Sequence, residues 1–462
     1  MPVSAMSASG NQVLGVLLGG LVLWLFVDTT WPSLVILFGL MLVPEMGVHY
    51  VTEGSLGLDT IFFLMAVFMI SASLKETGIA RRIAVWFVTC KLAKKGVWWS
   101  VGMIFFACLF LGSFLSTDGT MLIFFPILQE IFDLMGAKRE ESKKFPAMMI
   151  LSILFISLIS HATSPISHAI TIIAMGAYGG FAGTELGFVE YSAVAFPTCI
   201  VMVALWFVAC RVIIRPDMSD FAKIDTDALN KEMHPMTIQE KIAGIVYLLT
   251  VVFWVLPGVA AYIFPENIAT MLESINRIYP PVIGVIILHL WTVDGKPVMD
   301  YRVGFSSVFW NALLFMAAVM CTAGALSLPE VAINKWIIDC LNPILSGMSP
   351  VVFIIIIAAG TVLVTNFLPN VLAAVVMMAV AMPITMTVYS GQIPAALVGT
   401  MIIIACNCSF ATPTATASIA IATETGWAPL SRLFGWGSLL AVISIASILL
   451  VGWPLCSMIF PL

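Results

Sequence analysis

Four short segments of this 462-residue chain place polar residues inside apolar sequence, and these are the places where chemistry could occur. They read FLSTDGT, HATSPISHA, VTNFLPN and ATPTATAS, at residues 114–120, 161–169, 364–370 and 411–418. Each segment is expected to interrupt a helix. The half-helix N-termini that result favour an anion, whereas C-terminal carbonyls suit a small cation. None of the four contains Lys or Arg, so an anion held there must rely on N–H groups, hydroxyls, amides and histidine.

Asp118 is the ionisable residue of greatest interest, because it lies in the middle of an apolar, otherwise uncharged run of roughly 35 residues. A charge at that depth of a bilayer costs at least about 2.5 kcal/mol unless it is paired or hydrated. We therefore expect Asp118 to be a cation ligand or a proton carrier. His161 and His168 are two of only five histidines, and either could pair with Asp118 or carry a proton. Each could equally be a packed residue at a helix break.

The composition indicates that the chain lies in a membrane. It is 61% hydrophobic and 10% charged, whereas a soluble domain averages about 25% charged residues. The formal net charge of −5 is small, so no nucleic-acid partner is expected. No GxxxxGK[ST], HExxH or GxSxG motif occurs, and the cysteines lack zinc-ligand spacing. The sequence thus predicts neither an enzyme nor a resident metal or organic cofactor.

The apolar runs predict an all-α polytopic membrane protein, because they recur at lengths that cross a hydrocarbon core of about 30 Å. Ten crossings are predicted, at residues 11–27, 31–47, 58–76, 147–178, 190–213, 241–262, 278–293, 308–327, 395–423 and 433–456. Two further apolar runs, 96–135 and 345–386, have polar residues at their middles. We expect these to be re-entrant hairpins, since a break at mid-depth is tolerated only inside protein or beside a water-filled cavity.

Basic residues predict the topology. Of the 20 Lys and Arg residues, 18 lie inside if 75–95, 138–144, 211–241, 296–302 and Arg432 are cytoplasmic, which puts both termini outside. The plasma membrane of a prokaryote is the expected location. Ile79 to Lys95 is amphipathic and is expected to lie along the interface, with Leu328 to Leu341 as its counterpart. Four charged residues near span ends are predicted to be interfacial anchors: Asp59, Lys75, Glu76 and Asp294.

The two halves of the chain resemble each other. LMAVFMISASL at 64–74 lines up with FMAAVMCTAGA at 315–325, and SFLSTD at 113–118 with NFLPNV at 366–371, at spacings of about 250 residues. An odd number of crossings separates the copies, which predicts an inverted repeat of the kind found in transporters. The expected organisation is N-terminal scaffold helices 1–57, a first repeat 58–213, a cytoplasmic connector 214–240, scaffold helices 241–300 and a second repeat 301–462.

Three motifs carry a family resemblance. Ser116 to Pro126 is similar to the hairpin signature S-N-T-A-T-x-A-M-M-L-P, Phe367 to Val371 falls on its second copy F-T-S-N-T, and Cys408 to Thr416 is similar to C-A-F-x-x-P-x-A-T. On these residues the sequence resembles the divalent anion:sodium symporters, the INDY-like carboxylate transporters. Neither S-N-T triplet is intact, since Thr117 stands for Asn, Asp118 for Thr, Pro369 for Ser and Val371 for Thr.

The resemblance implies a homodimer in the lipid bilayer, in which a transport domain moves elevator-fashion against a scaffold. A small anionic substrate would lie between the hairpin tips, with sodium as a candidate coupling ion. Together with the broken segments, the resemblance gives a predicted substrate-binding set: Ser116, Thr117, Thr163, Ser164, Asn370, Thr412, Pro413, Thr414 and Thr416. The predicted cation or proton set is Ser116, Asp118, His161, His168 and Asn366.

Asp118 is also consistent with a second function. The tip STDGTML is also similar to the N-D-G-A-A-L tip of arsenite permeases and to Asp-bearing sites of some sodium/proton antiporters. The sequence predicts a secondary transporter of di- or tricarboxylates that uses alternating access and is coupled to sodium, protons or anion exchange. The alternative is an Asp118-dependent cation/proton antiporter or arsenite-type efflux permease. The internal repeat weakens a third possibility, a passive channel.

Overall fold

The fold is almost entirely helical. A computed structural model describes residues 7–28, 30–139, 143–165, 169–223, 234–276, 278–328, 331, 347–412 and 417–461. The described part of the first half contains ten α-helices: α1 (Ala8–Phe26), α2 (Trp31–Met41), α3 (Gly47–Glu53), α4 (Asp59–Glu76), α5 (Ile79–Thr89), α6 (Val97–Gly112), α7 (Thr117–Leu134), α8 (Lys144–Ser160), α9 (Ala169–Ala182) and α10 (Phe188–Ala209). The second half contains α11 (Ile238–Ile263), α12 (Glu266–Glu273), α13 (Tyr279–Leu290), α14 (Tyr301–Ser306), α15 (Trp310–Ser327), α16 (Pro350–Thr365), α17 (Asn370–Thr387), α18 (Ala395–Cys406), α19 (Ala417–Glu424), α20 (Leu430–Ser447) and α21 (Trp453–Ile459).

A short antiparallel hairpin, β1 (Thr292–Val293) with β2 (Lys296–Pro297), is the one sheet in the described residues. Short 3-10 turns occupy Ala93–Lys95 and Phe221–Lys223. The predicted all-α class is therefore confirmed for the described part of the chain.

Three helical runs in the described residues are long and apolar enough to cross a bilayer alone: Phe188–Ile214, Asn370–Thr387 and Leu430–Ile459. A fourth is possible if α4 and α5, which are bent by 60° where they join, are counted as one span. The other apolar helices have 10–17 residues. Large apolar side chains such as Phe26, Leu450 and Met458 are exposed, as expected of surfaces that face lipid. The count of ten crossings stays a prediction.

Three pairs of matching helices in the two halves have equal lengths. Helices α4 and α15 both have 18 residues, α6 and α16 both have 16, and α7 and α17 both have 18. A five-residue π-helical segment follows α10 at Cys210–Ile214, and another follows α20 at Ile448–Gly452. Each half therefore contains the same series: a helix, a helical hairpin, a broken helix and a long helix with a π-segment.

The helices turn inside both runs that are predicted to be re-entrant hairpins, and their re-entrant placement in the bilayer stays a prediction. Helices α6 and α7 turn at Ser113 to Ser116, and α16 and α17 turn at Asn366 to Pro369. The predicted span 147–178 is two helices, α8 and α9, and the span 395–423 is two helices, α18 and α19. The central segments of these spans are the predicted breaks.

The predicted span 31–47 was too long. Helix α2 ends at Met41, and turns lead through Pro44 to α3. Proline in a helix interior removes a hydrogen bond and clashes with the preceding turn. Gly47 then adopts a φ of 68°, a left-handed conformation that favours glycine.

Helix α5, predicted to lie along the interface, is tied to the start of α11. Arg82 donates from Nε to Oε1 of Glu240 at 3.1 Å, from Nη2 to Oε2 at 3.0 Å, and from Nη2 to the carbonyl of His234 at 2.9 Å. Glu240 also caps α11 reciprocally with Thr237. The predicted counterpart of α5, Leu328 to Leu341, lies almost wholly outside the described residues.

Candidate substrate and ion site

The tip of the first hairpin is built by a helix N-terminus. Ser116 is the N-cap of α7, and its Oγ accepts the N–H of Gly119 at 3.2 Å. Asp118 lies in the first turn of the same helix, where the helix dipole favours a negative charge. Ser116 can still donate its hydroxyl hydrogen, so the tip offers one donor and one carboxylate.

This tip is hydrogen-bonded to the break between α8 and α9. Thr117 Oγ1 lies 2.6 Å from His161 Nε2, and both side chains are buried. Thr163 Oγ1 lies 2.9 Å from Ser113 Oγ and 2.6 Å from the carbonyl of Ser160. The hairpin and the broken helix thus form one polar unit inside the protein.

Neighbouring helices satisfy the freed backbone of this break. The hydroxyl of Tyr191 donates to the carbonyl of Ala162 at 2.8 Å, and Thr171 Oγ1 donates to the carbonyl of His161 at 2.7 Å. Because an unpaired carbonyl in an apolar interior is costly, these two buried hydroxyls allow the helix to break at this depth.

Asn366 performs the same task in the second half. Its Nδ2 donates to the carbonyls of Val362 at 2.7 Å and Cys408 at 3.1 Å. Its Oδ1 accepts hydrogen bonds from the N–H groups of Phe410 at 2.9 Å and Ala411 at 2.8 Å. The backbone carbonyl of Asn366 accepts a hydrogen bond from Thr412 Oγ1. The amide uses its full hydrogen-bonding capacity to hold the hairpin tip against the unwound segment after α18.

Asn370 is the first residue of α17 and is buried. Its Oδ1 accepts Thr365 Oγ1 at 3.1 Å, and the same hydroxyl lies 2.7 Å from the carbonyl of Cys406. No described residue accepts a hydrogen bond from Nδ2 of Asn370. That amide group is therefore a donor that a ligand can use.

Two contacts join the halves at the centre. Ser418 Oγ, in α19, donates to Oδ1 of Asp118 at 2.6 Å. Asn407 directly follows α18, and its Nδ2 lies 3.5 Å from Thr171 Oγ1. The Oδ1 atom of Asn407 is buried and has no hydrogen-bond partner among the described residues. The acidic first tip therefore meets the second broken helix, and the two breaks adjoin.

Two cavities lie at opposite ends of α4. The first, which we call the tip cavity, has a volume of about 300 Å³ and contacts Lys75 of α4 with Ser116 and Asp118 of the first tip. The second, which we call the α9 cavity, has a volume of about 360 Å³ and contacts Thr60 of α4 and Pro165 of the first break. Each cavity thus reaches from the outer helices to one side of the candidate site.

Most of the predicted residues lie at the tips and breaks. Ser116, Thr117, Asp118, Thr163 and His161 are grouped around the first tip, with Ser164 half-buried in the same break. Asn366, Asn370 and Thr412 are grouped around the second tip. In the structure His161 bonds Thr117 and Asp118 accepts the hydroxyl of Ser418, and the pairing of a histidine with Asp118 stays a prediction. His168, Pro413, Thr414 and Thr416 lie outside the described residues.

Sequence reasoning missed several residues of the site. Asn407 and Thr171 bridge the breaks, and Tyr191 bonds one of them, yet none was singled out. A lone Asn next to the Cys408 motif was the available signal, because an amide is costly in an apolar helix unless it is paired. Ser418 was assigned to the second break without a role. Lys75 was predicted to be an interfacial anchor, but it lines the tip cavity.

The arrangement offers hydrogen-bond donors suited to an anion and oxygen ligands suited to a small cation. Donors come from hydroxyls, the Asn370 amide and helix N-termini, and oxygen ligands come from Asp118, Asn407 and unwound carbonyls. Within the described part of the chain no cluster of three or more His, Cys, Asp or Glu could hold a metal ion. The chemistry therefore suits reversible ion binding.

Comparison with known proteins identifies the family of the chain. The sequence profile of the citrate transporter family matches residues 20–405. A sodium-dependent dicarboxylate transporter SdcS of Staphylococcus saprophyticus is 23% identical over 411 residues, covering 86% of this chain and 76% of that protein. The Staphylococcus aureus SdcS is 23% identical over 429 residues, covering 91% and 80%.

A solved structure shares the fold. The crystal structure of the Alcanivorax borkumensis YdaH transporter superposes with a TM-score of 0.61 at 10% identity, covering 97% of this chain and 100% of that chain. The resemblance to the divalent anion:sodium symporters is confirmed, and the chain is an integral membrane carrier rather than an enzyme. Because the profile spans most of its length, the chain belongs to the citrate transporter family.

Proposed function

We propose that this protein is a secondary active transporter that carries citrate or a dicarboxylate by alternating access, with the substrate between the two hairpin tips. The observation that carries the proposal is the paired construction of the centre. Each tip is bonded to a broken helix, and the two halves meet at the contact between Asp118 and Ser418. Half-helix N-termini and hydroxyls there suit a carboxylate that must bind and leave again.

Coupling to a cation is the second element of the proposal. The SdcS relatives are named as sodium-dependent, which favours sodium over protons as the ion. Asp118 is the one acidic residue among the described residues of the tips and breaks, and a carboxylate is a good ligand for a hard cation. We assign Asp118 and the neighbouring carbonyls to the cation, and Ser116, Thr117 and Asn370 to the substrate.

The architecture that we propose is an inverted repeat of scaffold and transport elements that works as an elevator in a homodimer. The equal lengths of α4 and α15, of α6 and α16, and of α7 and α17 support the repeat. Cavities at both ends of α4 are the expected entrances of a carrier whose site alternates between two faces. We place the protein in the plasma membrane of a prokaryote, with both termini outside.

The proposal is tested by uptake of labelled succinate and citrate into proteoliposomes. Three conditions are compared: a sodium gradient, a pH gradient, and preloaded unlabelled substrate without a gradient. Saturable uptake in any condition supports carboxylate transport, and the condition that responds identifies the coupling. If the folded protein transports neither anion under any of the three conditions, the proposal is contradicted and the cation antiporter or arsenite-type permease is favoured.

Asp118→Asn tests the assignment of the cation. The amide keeps the size of the side chain and can still accept from Ser418, but it removes the negative charge. We expect uptake to lose its ion dependence and to fall at least about tenfold under a sodium gradient, a change equivalent to about 1.4 kcal/mol. Uptake that keeps the wild-type ion and pH dependence would show that Asp118 does not govern coupling.

A further inference from the structure

Lys75 lies in the last turn of α4 and lines the tip cavity. The same cavity is also lined by Ser116 and Asp118 of the first tip and by Ser306 and Ser307, which precede α15. Lys75 is the one basic side chain among the described residues that line the cavity. The route to the candidate site therefore passes a single positive charge.

This charge has no ion-pair partner among the residues that the structure describes. Asp118, which lines the same cavity, accepts Ser418 instead. Three cavity hydroxyls donate elsewhere: that of Ser71 to the carbonyl of Phe114 at 3.2 Å, that of Ser306 to Val303 at 3.0 Å and that of Ser307 to Gly304 at 2.6 Å, so that Ser116 is the hydroxyl donor left beside Lys75. Lys75 is thus the N–H donor and the cation that remain available to an anion in this cavity.

We propose that Lys75 forms an entry site for the carboxylate substrate, distinct from the site between the hairpin tips. This inference rests on the proposed function. A cation on the wall of a confined cavity attracts anions and raises their association rate. Because Lys75 belongs to α4 whereas Ser116 and Asp118 belong to the hairpin, an anion held by Lys75 lies directly before the tip.

A purely structural role is the competing explanation, because a lysine in the last turn of a helix also stabilises the helix dipole. The two roles differ in what they require of the side chain. Dipole stabilisation affects stability, whereas an entry site affects the dependence of uptake on substrate concentration. The test must therefore change the charge at residue 75 and measure kcat/KM.

The experiment uses Lys75→Cys, labelled before reconstitution with methanethiosulfonate reagents of different charge. An aminoethyl reagent restores a cation close in length to lysine, and a sulfonatoethyl reagent installs an anion. We expect Lys75→Cys to lower kcat/KM for labelled citrate or succinate about tenfold, mainly through KM. The cationic label should restore most of the loss, and the anionic label should deepen it. Lys75→Arg should stay within about twofold of wild type, since it keeps the charge.

Lys138→Cys is the matched control, because Lys138 is exposed, lies on the same predicted face and follows the C-terminal end of α7, the end opposite the first tip. Wild-type protein treated with each reagent corrects for the native cysteines. Equal kcat/KM for the cationic and anionic labels, or an unchanged KM in Lys75→Cys and Lys75→Gln, overturns the entry site and leaves the proposed function standing. A folded wild-type protein that moves neither anion overturns both.

Discussion

Asn366→Ala is predicted to lower the free energy of unfolding far more than Ser113→Ala, the equivalent change in the first hairpin. Asn366 fills four hydrogen bonds, and two of them receive the N–H groups of Phe410 and Ala411, which are buried. Leaving a buried donor without a partner costs about 1–3 kcal/mol. The substitution should therefore lower the free energy of unfolding by about 2–6 kcal/mol.

Ser113→Ala is the matched control, because Ser113 occupies the same place in the first hairpin. It removes an acceptor from Thr163, but Thr163 keeps its bond to the carbonyl of Ser160 at 2.6 Å. The expected loss is about 1 kcal/mol. Denaturant titration of the detergent-solubilised protein gives both free energies. Equal losses in the two variants would refute the idea that Asn366 holds the unwound segment.

Three further predictions use neighbouring residues as controls. Gly437→Ala should lower the free energy of unfolding by about 1–3 kcal/mol, because its Cβ would lie 2.7 Å from the carbonyl carbon of Phe410. Gly435→Ala meets open space and should leave stability unchanged or raise it. Thermal unfolding compares the two variants. Gly180→Ala should slow uptake about tenfold, because its Cβ would lie 2.9 Å from Ala323 Cβ where α9 packs on α15. Gly179→Ala, whose Cβ would meet only the carbonyl of Thr184 at 3.8 Å, should keep the wild-type rate. The pKa of Glu240 is lowered from its ordinary value of 4.5: burial raises it, but the hydrogen bonds from Arg82 and Thr237 and the charge of Arg82 outweigh that. Because the pKa of Glu240 is lower in the folded state, its ionised form stabilises the fold above pH 4.5, and this contribution is lost as the pH falls through the pKa of the folded state. Glu240→Gln should therefore reduce the dependence of the free energy of unfolding on pH in this acidic range. Glu130→Gln, which breaks the exposed pair with Arg81, should leave that dependence unchanged.

The helical hairpins and breaks could be predicted because lipid penalises free backbone groups. Polar residues in the middle of an apolar run, such as Asp118 and Asn366, therefore mark places where the helix turns inside protein. The same reasoning led to the proposed repeat, since both halves place these residues at matching positions in the sequence.

The partners within the site could not be predicted. Nothing in the sequence near Asp118 indicates that Ser418, about 300 residues away, supplies its hydrogen bond. Likewise Thr171 and Tyr191 are ordinary residues of apolar helices until the fold brings them to the carbonyls of His161 and Ala162. Lys75 resembled an interfacial anchor because the last turn of a span is where anchors occur, and only the packing of the first hairpin against α4 reveals the cavity.

The central claim is that the hairpin tips bind the carboxylate, and equilibrium binding of labelled citrate and succinate to purified Asn370→Ala tests it most directly. Thr365 keeps its bond to the carbonyl of Cys406 in this variant, so the fold should survive, and Gln392→Ala, at an exposed position, is the control. We predict that affinity falls at least about tenfold in Asn370→Ala, a loss of about 1.4 kcal/mol, while the thermal midpoint and the control stay at wild-type values. Wild-type affinity in a folded Asn370→Ala protein would contradict a substrate site at the hairpin tips.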